Sequence, residues 1–298
     1  MAGLKGVYNI LATPFKPDEN LDEASLRRLV QATVQARVDG ITVLGVAGEA
    51  QKLTAEERER VVRIVIEEVG TRVPVFVGAS YDGTAAAIAA GRAAAKAGAA
   101  GLMVAPPTFL QPGPQLTEHY RRLAAAVELP IVLQDYPPIN GVTMSPKHMA
   151  DLCHAVPAVT TVKLEGTPTP QRTALTLATA PKGVTVLGGL GGMYLLDELR
   201  RGASGTMTGF AYPEVLIQIW TAWEAGDRER AAEVYERHLP LLVFEGQPGI
   251  GLAIRKEMLR RRGLIEHATV RHPGPQLDEG IQADLDEVLA RLQLPAAV

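Results

Sequence analysis

An α/β chain folded as a (β/α)8 TIM barrel with a C-terminal helical extension is what three observations on this sequence predict. Short β-branched and aliphatic runs recur eight times over about 225 residues. Longer helical patterns separate them, as parallel strands joined by crossover helices require. Chemistry-bearing residues follow directly after several of the runs, where the sites of such barrels lie.

The eight predicted strands are Val7–Ala12, Ile41–Leu44, Val73–Val77, Leu102–Ala105, Ile131–Gln134, Val159–Lys163, Val184–Leu187 and Gly205–Thr208. Helix starts are legible between them. Asp22 precedes a pattern over Leu26–Arg37, and Thr54 with Glu57 forms a capping box. Thr84 reads as the cap of the alanine-rich helix Ala85–Ala100, and Ser145-Pro146 and Thr167-Pro168 each place a cap before a first-turn proline. Beyond the last strand, helical patterns cover Glu214–Glu224, Arg228–His238, Ile250–Arg262 and Asp278–Leu292, with a break at Pro273-Gly274-Pro275. Residues 1–225 are therefore expected to form the barrel and 226–298 a helical appendage. The number of strands argues against an open doubly wound sheet, which usually has fewer.

Composition narrows the partners. The 298 residues are 47% hydrophobic and 21% charged, enough for a large core. A net charge of -3 and 5% aromatic residues offer neither a basic face nor stacking platforms for nucleic acid. The single Cys153 cannot pair internally, no His/Cys cluster has metal-ligand spacing, and no cofactor is expected. His119, His148, His154 and His238 fall in helical patterns and read as packing or surface residues. The N-terminus has no apolar signal core and no stretch reaches about 18 apolar residues, so a cytoplasmic protein acting on a small molecule is expected.

The candidate site centres on Val159-Thr-Thr-Val-Lys163-Leu-Glu165. Desolvation at a strand end lowers a lysine pKa from its free value of roughly 10.4, and a neutral amine condenses with a keto carbon to a Schiff base. Glu165, two residues on, projects to the same side of an extended chain. The same residues also fit a solvent-reaching lysine with Glu165 as its ion-pair partner. The second strand ends in Gly45-Val46-Ala47-Gly48-Glu49, a turn that either links strand to helix or offers its N–H groups to a carboxylate. The fifth ends in Gln134-Asp135-Tyr136-Pro137-Pro138, where Asp135 either contacts substrate or orders the loop. Thr108, the glycines Gly188, Gly189 and Gly191, whose backbones permit close approach, and Met207 and Thr208 complete the candidate lining. Asp197 and Glu198 read as an ordinary charged helix face, and Arg260–Arg262 as a solvated helix end.

Ala12-Thr13-Pro14-Phe15 with Asp18 and Asp22, the Gly45–Glu49 turn, Gly78-Ala79-Ser80, Pro130–Pro137 and Lys163 occur together and in order. Over nearly its whole length the chain resembles the pyruvate-dependent class I aldolase superfamily of dihydrodipicolinate synthase and N-acetylneuraminate lyase. The resemblance implies a homotetramer of barrels, with Lys163 as the Schiff-base lysine for a 2-oxo acid and the Val46 and Ala47 amides on its carboxylate. The departures bear on the reaction. Gln134 stands where the family has its relay tyrosine, and Val46 and Ala47 replace the two threonines that pass protons to it. The synthase's substrate arginine falls on Ile139.

Glu165 is the ionisable group left beside Lys163, and Gln134-Asp135, Lys163-Leu164-Glu165 and Gly202–Pro213 are similar to the 2-keto-3-deoxy-L-arabonate dehydratase branch. The expected activity is dehydration of a 2-keto-3-deoxy sugar acid to 2-oxoglutarate semialdehyde, with Lys163, Glu165 and Gln134 as catalytic residues. Alternatives are a retro-aldolase releasing pyruvate and a small aldehyde, a synthase-like condensation, and a barrel that binds a 2-oxo acid without catalysis.

Overall fold

The structure, a computed structural model, describes residues 2–292 and 294; Met1 of the expected barrel and residues 293 and 295–298 of the expected appendage lie outside it. Eight parallel strands close into a barrel in sequence order: β1 Gly6–Ile10, β2 Gly40–Val43, β3 Val75–Gly78, β4 Gly101–Val104, β5 Ile131–Asp135, β6 Val159–Leu164, β7 Thr185–Gly188 and β8 Gly205–Thr208. Every strand residue except Gly78 is buried. Strands covered on both faces need no polar alternation, which is why they read as continuous apolar runs.

The helices are α1 Glu23–Gln35, α2 Ala55–Val69, α3 Thr84–Ala97, α4 Pro114–Val127, the single turn α5 Pro137–Asn140, α6 Pro146–Ala155, α7 Thr169–Thr179, α8 Leu195–Arg200, α9 Pro213–Glu224, α10 Arg228–Glu245, α11 Gly251–Arg261 and α12 Glu279–Leu292. Three caps form as predicted. Asp22 accepts from Ser25 N, Thr54 and Glu57 form a full capping box, and Ser145 accepts from His148 N. Two do not. Thr84 lies inside α3 behind Gly83, because its hydroxyl bonds His119 Nδ1 at 2.9 Å instead of the helix end. The α7 helix begins at Thr169, so Pro170 rather than Pro168 occupies the first turn and Thr167 caps nothing. Helix α10 continues past His238 through Pro240 to Glu245, since Leu241, Leu242 and Glu245 extend the face already buried by Ala231, Val234 and Tyr235.

Two compact units make up the chain. The first, Met1–Gly6, Pro74–Leu190 and Tyr194–Met207, carries β3 to β7, most of β8, and α3 to α8. The second, Val7–Val73, Gly191–Met193 and Thr208–Val298, carries most of β1, β2, α1, α2 and α9 to α12.

Within the second unit the C-terminal extension is anchored on the turn after β2. The fully buried Lys256 on α11 bonds Glu49, donates to Thr269 O at 2.7 Å and lies 4.5 Å above the Phe15 ring. Glu49, also without exposure, accepts in addition from Lys52 at 2.8 Å and from Arg271 N at 3.0 Å. The Arg271 guanidinium forks onto Glu57 at 2.7 and 2.6 Å. Arg262 departs from the expected solvated helix end: it is buried, stacks 4.4 Å over Tyr212 and bonds Glu214 and Ala211 O, whereas Arg260 and Arg261 pair with Glu257.

Thr54→Ala removes one half of the α2 capping box and is expected to lower unfolding stability by about 1 kcal/mol, read as a lower urea midpoint with an unchanged slope.

Candidate active site at the ends of β5, β6 and β7

Parallel pairing of β5 with β6 sets Gln134 beside Lys163 and Asp135 beside Leu164. Successive strand residues point to opposite faces, so Gln134, Lys163 and Glu165 share one side while Asp135 takes the other. On the shared side the Lys163 ammonium contacts Glu165 Oε2, and the same oxygen accepts from Gln134 Nε2 at 2.9 Å. All three residues are buried. Lys163 lies within the strand and is buried, so it does not reach solvent, whereas the ion pair with Glu165 does form. The Tyr136 ring lies 5.7 Å from Lys163 Nζ, a neighbour that sequence reasoning passed over although its place two residues after Gln134 supplied the signal.

Asp135, on the opposite face, does not join this group. Its Oδ2 accepts from Arg172 of α7 at 2.8 Å, and Arg172 also bonds Met144 O. Burial raises the Asp135 carboxyl above its ordinary range although Arg172 opposes the shift. The face that carries Asp135 is thus the helix-facing one, and Gln134, Lys163 and Glu165 face the barrel interior.

The end of β7 makes room for Glu165. A Cβ on Gly189 would stand 2.6 Å from Glu165 Cδ, so only glycine lets the carboxylate lie where it does. Leu190 follows at φ 48°, a left-handed conformation that costs a branched side chain about 1 kcal/mol or more and turns its N–H to Glu165 Oε1 at 3.4 Å. Gly188 is excluded from carrying a side chain by Glu198, which would overlap it. Glu198 is no surface residue: it is fully buried, with Oε1 accepting from Thr169 Oγ1 at 2.6 Å.

The dihydrodipicolinate synthetase family profile matches residues 3–292. The chain belongs to that family. It is 32% identical over 297 residues, 97% of this chain and 94% of the other, to the L-2-keto-3-deoxyarabonate dehydratase of Azospirillum brasilense. Among solved structures it superposes with a TM-score of 0.92 on the dihydrodipicolinate synthase of Rhodopseudomonas palustris, at 34% identity and covering 98% of this chain and 100% of that one. A prophage protein of the family from E. coli K12, solved in complex with pyruvate, gives a TM-score of 0.91 at 26% identity, covering 98% and 99%. The protein is therefore an enzyme, a lyase of the Schiff-base-forming superfamily, and no described helix is long and apolar enough to cross a membrane.

The other family positions fall as follows. Val46–Gly48 form one 3-10 turn in which Gly48 and Glu49 donate to Gly45 O and Val46 O, both at 3.0 Å. The N–H groups of Val46 and Ala47 open that turn and have no acceptor inside it, the property an anion cradle needs. Thr13 Oγ1 holds Gly48 O at 2.6 Å. Thr108 is tied by its N–H and hydroxyl to Asp82 Oδ1, at 2.7 and 2.9 Å. Met207 is buried in β8, and Thr208 Oγ1 accepts from Gly191 N at 2.8 Å.

Gly189→Ala is expected to push the Glu165 carboxylate off Gln134 and Lys163 while the barrel still folds; a crystal structure of the variant with Glu165 unmoved contradicts this account of the glycine.

Proposed function

We propose that the protein dehydrates a 2-keto-3-deoxy sugar acid, with 2-keto-3-deoxy-L-arabonate as substrate and 2-oxoglutarate semialdehyde as product. The observation that carries this reading is the single Glu165 oxygen shared by Lys163 and Gln134. Similarity to the Azospirillum dehydratase supports the choice of substrate.

In this mechanism Glu165 takes a proton from Lys163, freeing the amine to attack the C2 keto carbon, and returns that proton to the former keto oxygen, which leaves as water to give an iminium and restores the carboxylate. The iminium acidifies the C3 hydrogens. Glu165, within reach of the Lys163 nitrogen, removes one to give the enamine, and the electron pair then expels the C4 hydroxyl, which leaves as water with the proton Glu165 returns. Gln134, a neutral donor fixed on the same oxygen, aims the carboxylate without competing for its proton. Transfer of protons from C5 and its hydroxyl to C3 and C4 turns the C3–C4 alkene into a C5 aldehyde, and hydrolysis then frees the semialdehyde from Lys163. We assign the open N–H groups of Val46 and Ala47 as a carboxylate cradle in their own right. Homotetrameric assembly and a cytoplasmic location belong to the same proposal.

A second reading, retro-aldol cleavage, is favoured by one feature: the Tyr136 ring near Lys163 offers a phenol of the kind that the Gln134 replacement removed. The products separate the two. Incubation with 2-keto-3-deoxy-L-arabonate is expected to yield the semialdehyde and no pyruvate, whereas pyruvate release establishes the aldolase. Glu165→Gln should still be trapped on a 2-oxo acid by borohydride yet turn over roughly 100- to 10,000-fold more slowly, the usual range for loss of a general base. Normal turnover in that variant removes Glu165 from the mechanism.

A further inference from the structure

The last residue of β7 and the one after it separate two carboxyl groups. Glu165 packs against Gly189 and Glu198 against Gly188, each glycine leaving space that a Cβ would take from the acid beside it. Glu165 has cationic and amide partners, Lys163 and Gln134. Glu198 has none. Its Oε1 takes the Thr169 hydroxyl at 2.6 Å, and its Oε2, fully buried, has no hydrogen-bond partner among the described residues. The charges acting on it are both negative, Glu165 from β6 and Asp197 from its own helix, and Arg200 of that helix is bound to Asp197 at 3.0 Å.

We propose that Glu198 is a positioning residue for proton transfer at Lys163: a neutral carboxylic acid lodged behind Gly188 that leaves Glu165 as the ionised carboxylate of the pair. This rests on the Schiff-base reading above. Thr169 donates to Oε1, so the proton sits on the partnerless Oε2. Two carboxylates flanking one peptide repel, and the one without a cation keeps its proton. Burial first, with the Glu165 charge adding to it, holds the Glu198 carboxyl up at about 8. Ionising it places a second negative charge beside Glu165, the partner of Lys163. That charge favours the ammonium over the attacking amine and drives Glu165 off Gln134.

The sign for activity follows. Glu198 is neutral below pH 8 and charged above it, so turnover carries an alkaline limb centred near that value. Glu198→Gln preserves shape and neutrality, and the limb assigned to it is expected to vanish. Lys256 is also brought to about 8 by burial, so the comparison of the two profiles, not the wild-type limb alone, decides. Infrared difference spectroscopy between pH 6 and pH 10 (working values bracketing the expected midpoint) should show in the wild type a protonated-carboxyl band that is lost with alkali and is absent from Glu198→Gln, whatever bands the raised Asp135 and Glu245 carboxyls add to both. Identical pH profiles, or an unchanged band in the variant, overturn the proposal. Borohydride trapping of pyruvate on the wild type runs beside these measurements. Without trapping, the Schiff-base reading falls whatever Glu198 does; with trapping and no Glu198 band, only the present inference falls.

Discussion

One carboxylate oxygen, Glu165 Oε2, holds the site together. It accepts from the Lys163 ammonium and from Gln134 Nε2, so lysine, acid and amide form a single buried unit. A buried lysine without a counter-charge bears a large desolvation penalty, and removal of one partner from such a pair costs roughly 3–5 kcal/mol. The surrounding backbone is built to keep the acid in place. Gly189 clears its volume, and Leu190 adopts a left-handed conformation that presents an N–H to the other oxygen. Strain of this kind persists only where neighbouring structure over-determines it.

A barrel is a suitable frame for this constraint. The register that places Gln134 against Lys163 is fixed by backbone bonds along β5 and β6, and Leu187 of β7 flanks the lysine from the other side. Three strands thus position Lys163 while their outward residues tie down the helices, as Asp135 does through Arg172. The C-terminal extension serves a comparable purpose in its own unit. Lys256 and Arg271 converge on Glu49, at the end of the turn in which the Val46 and Ala47 N–H groups have no internal acceptor. Buried charge here is compensated on every side, which makes the anchor specific more than strong.

Much of this was legible in the residues. Each of the eight strands was placed to within two residues at either end, because strands buried on both faces betray themselves as apolar runs. Lys163 and Glu165 were legible as a pair since strand alternation needs no tertiary information. Caps were read correctly where Thr54, Asp22 and Ser145 bond their own helix and wrongly at Thr84, whose hydroxyl has a competing partner 35 residues away in sequence. Glu198 and Arg262 were misread for the same reason: a charged residue on a short helix looks solvated until the element packed over it is known.

Local pattern alone therefore determined the order and kind of the elements and the pairing of the lysine with its neighbouring acid, because period, propensity and turn chemistry act over a few residues. Tertiary structure alone decided which face each polar side chain took across strands. It sent Asp135 to Arg172 rather than to Lys163, brought Tyr136 toward the amine and enclosed Glu198 behind a glycine. Those outcomes depend on register and burial between segments distant in sequence, and both are set only when the barrel closes.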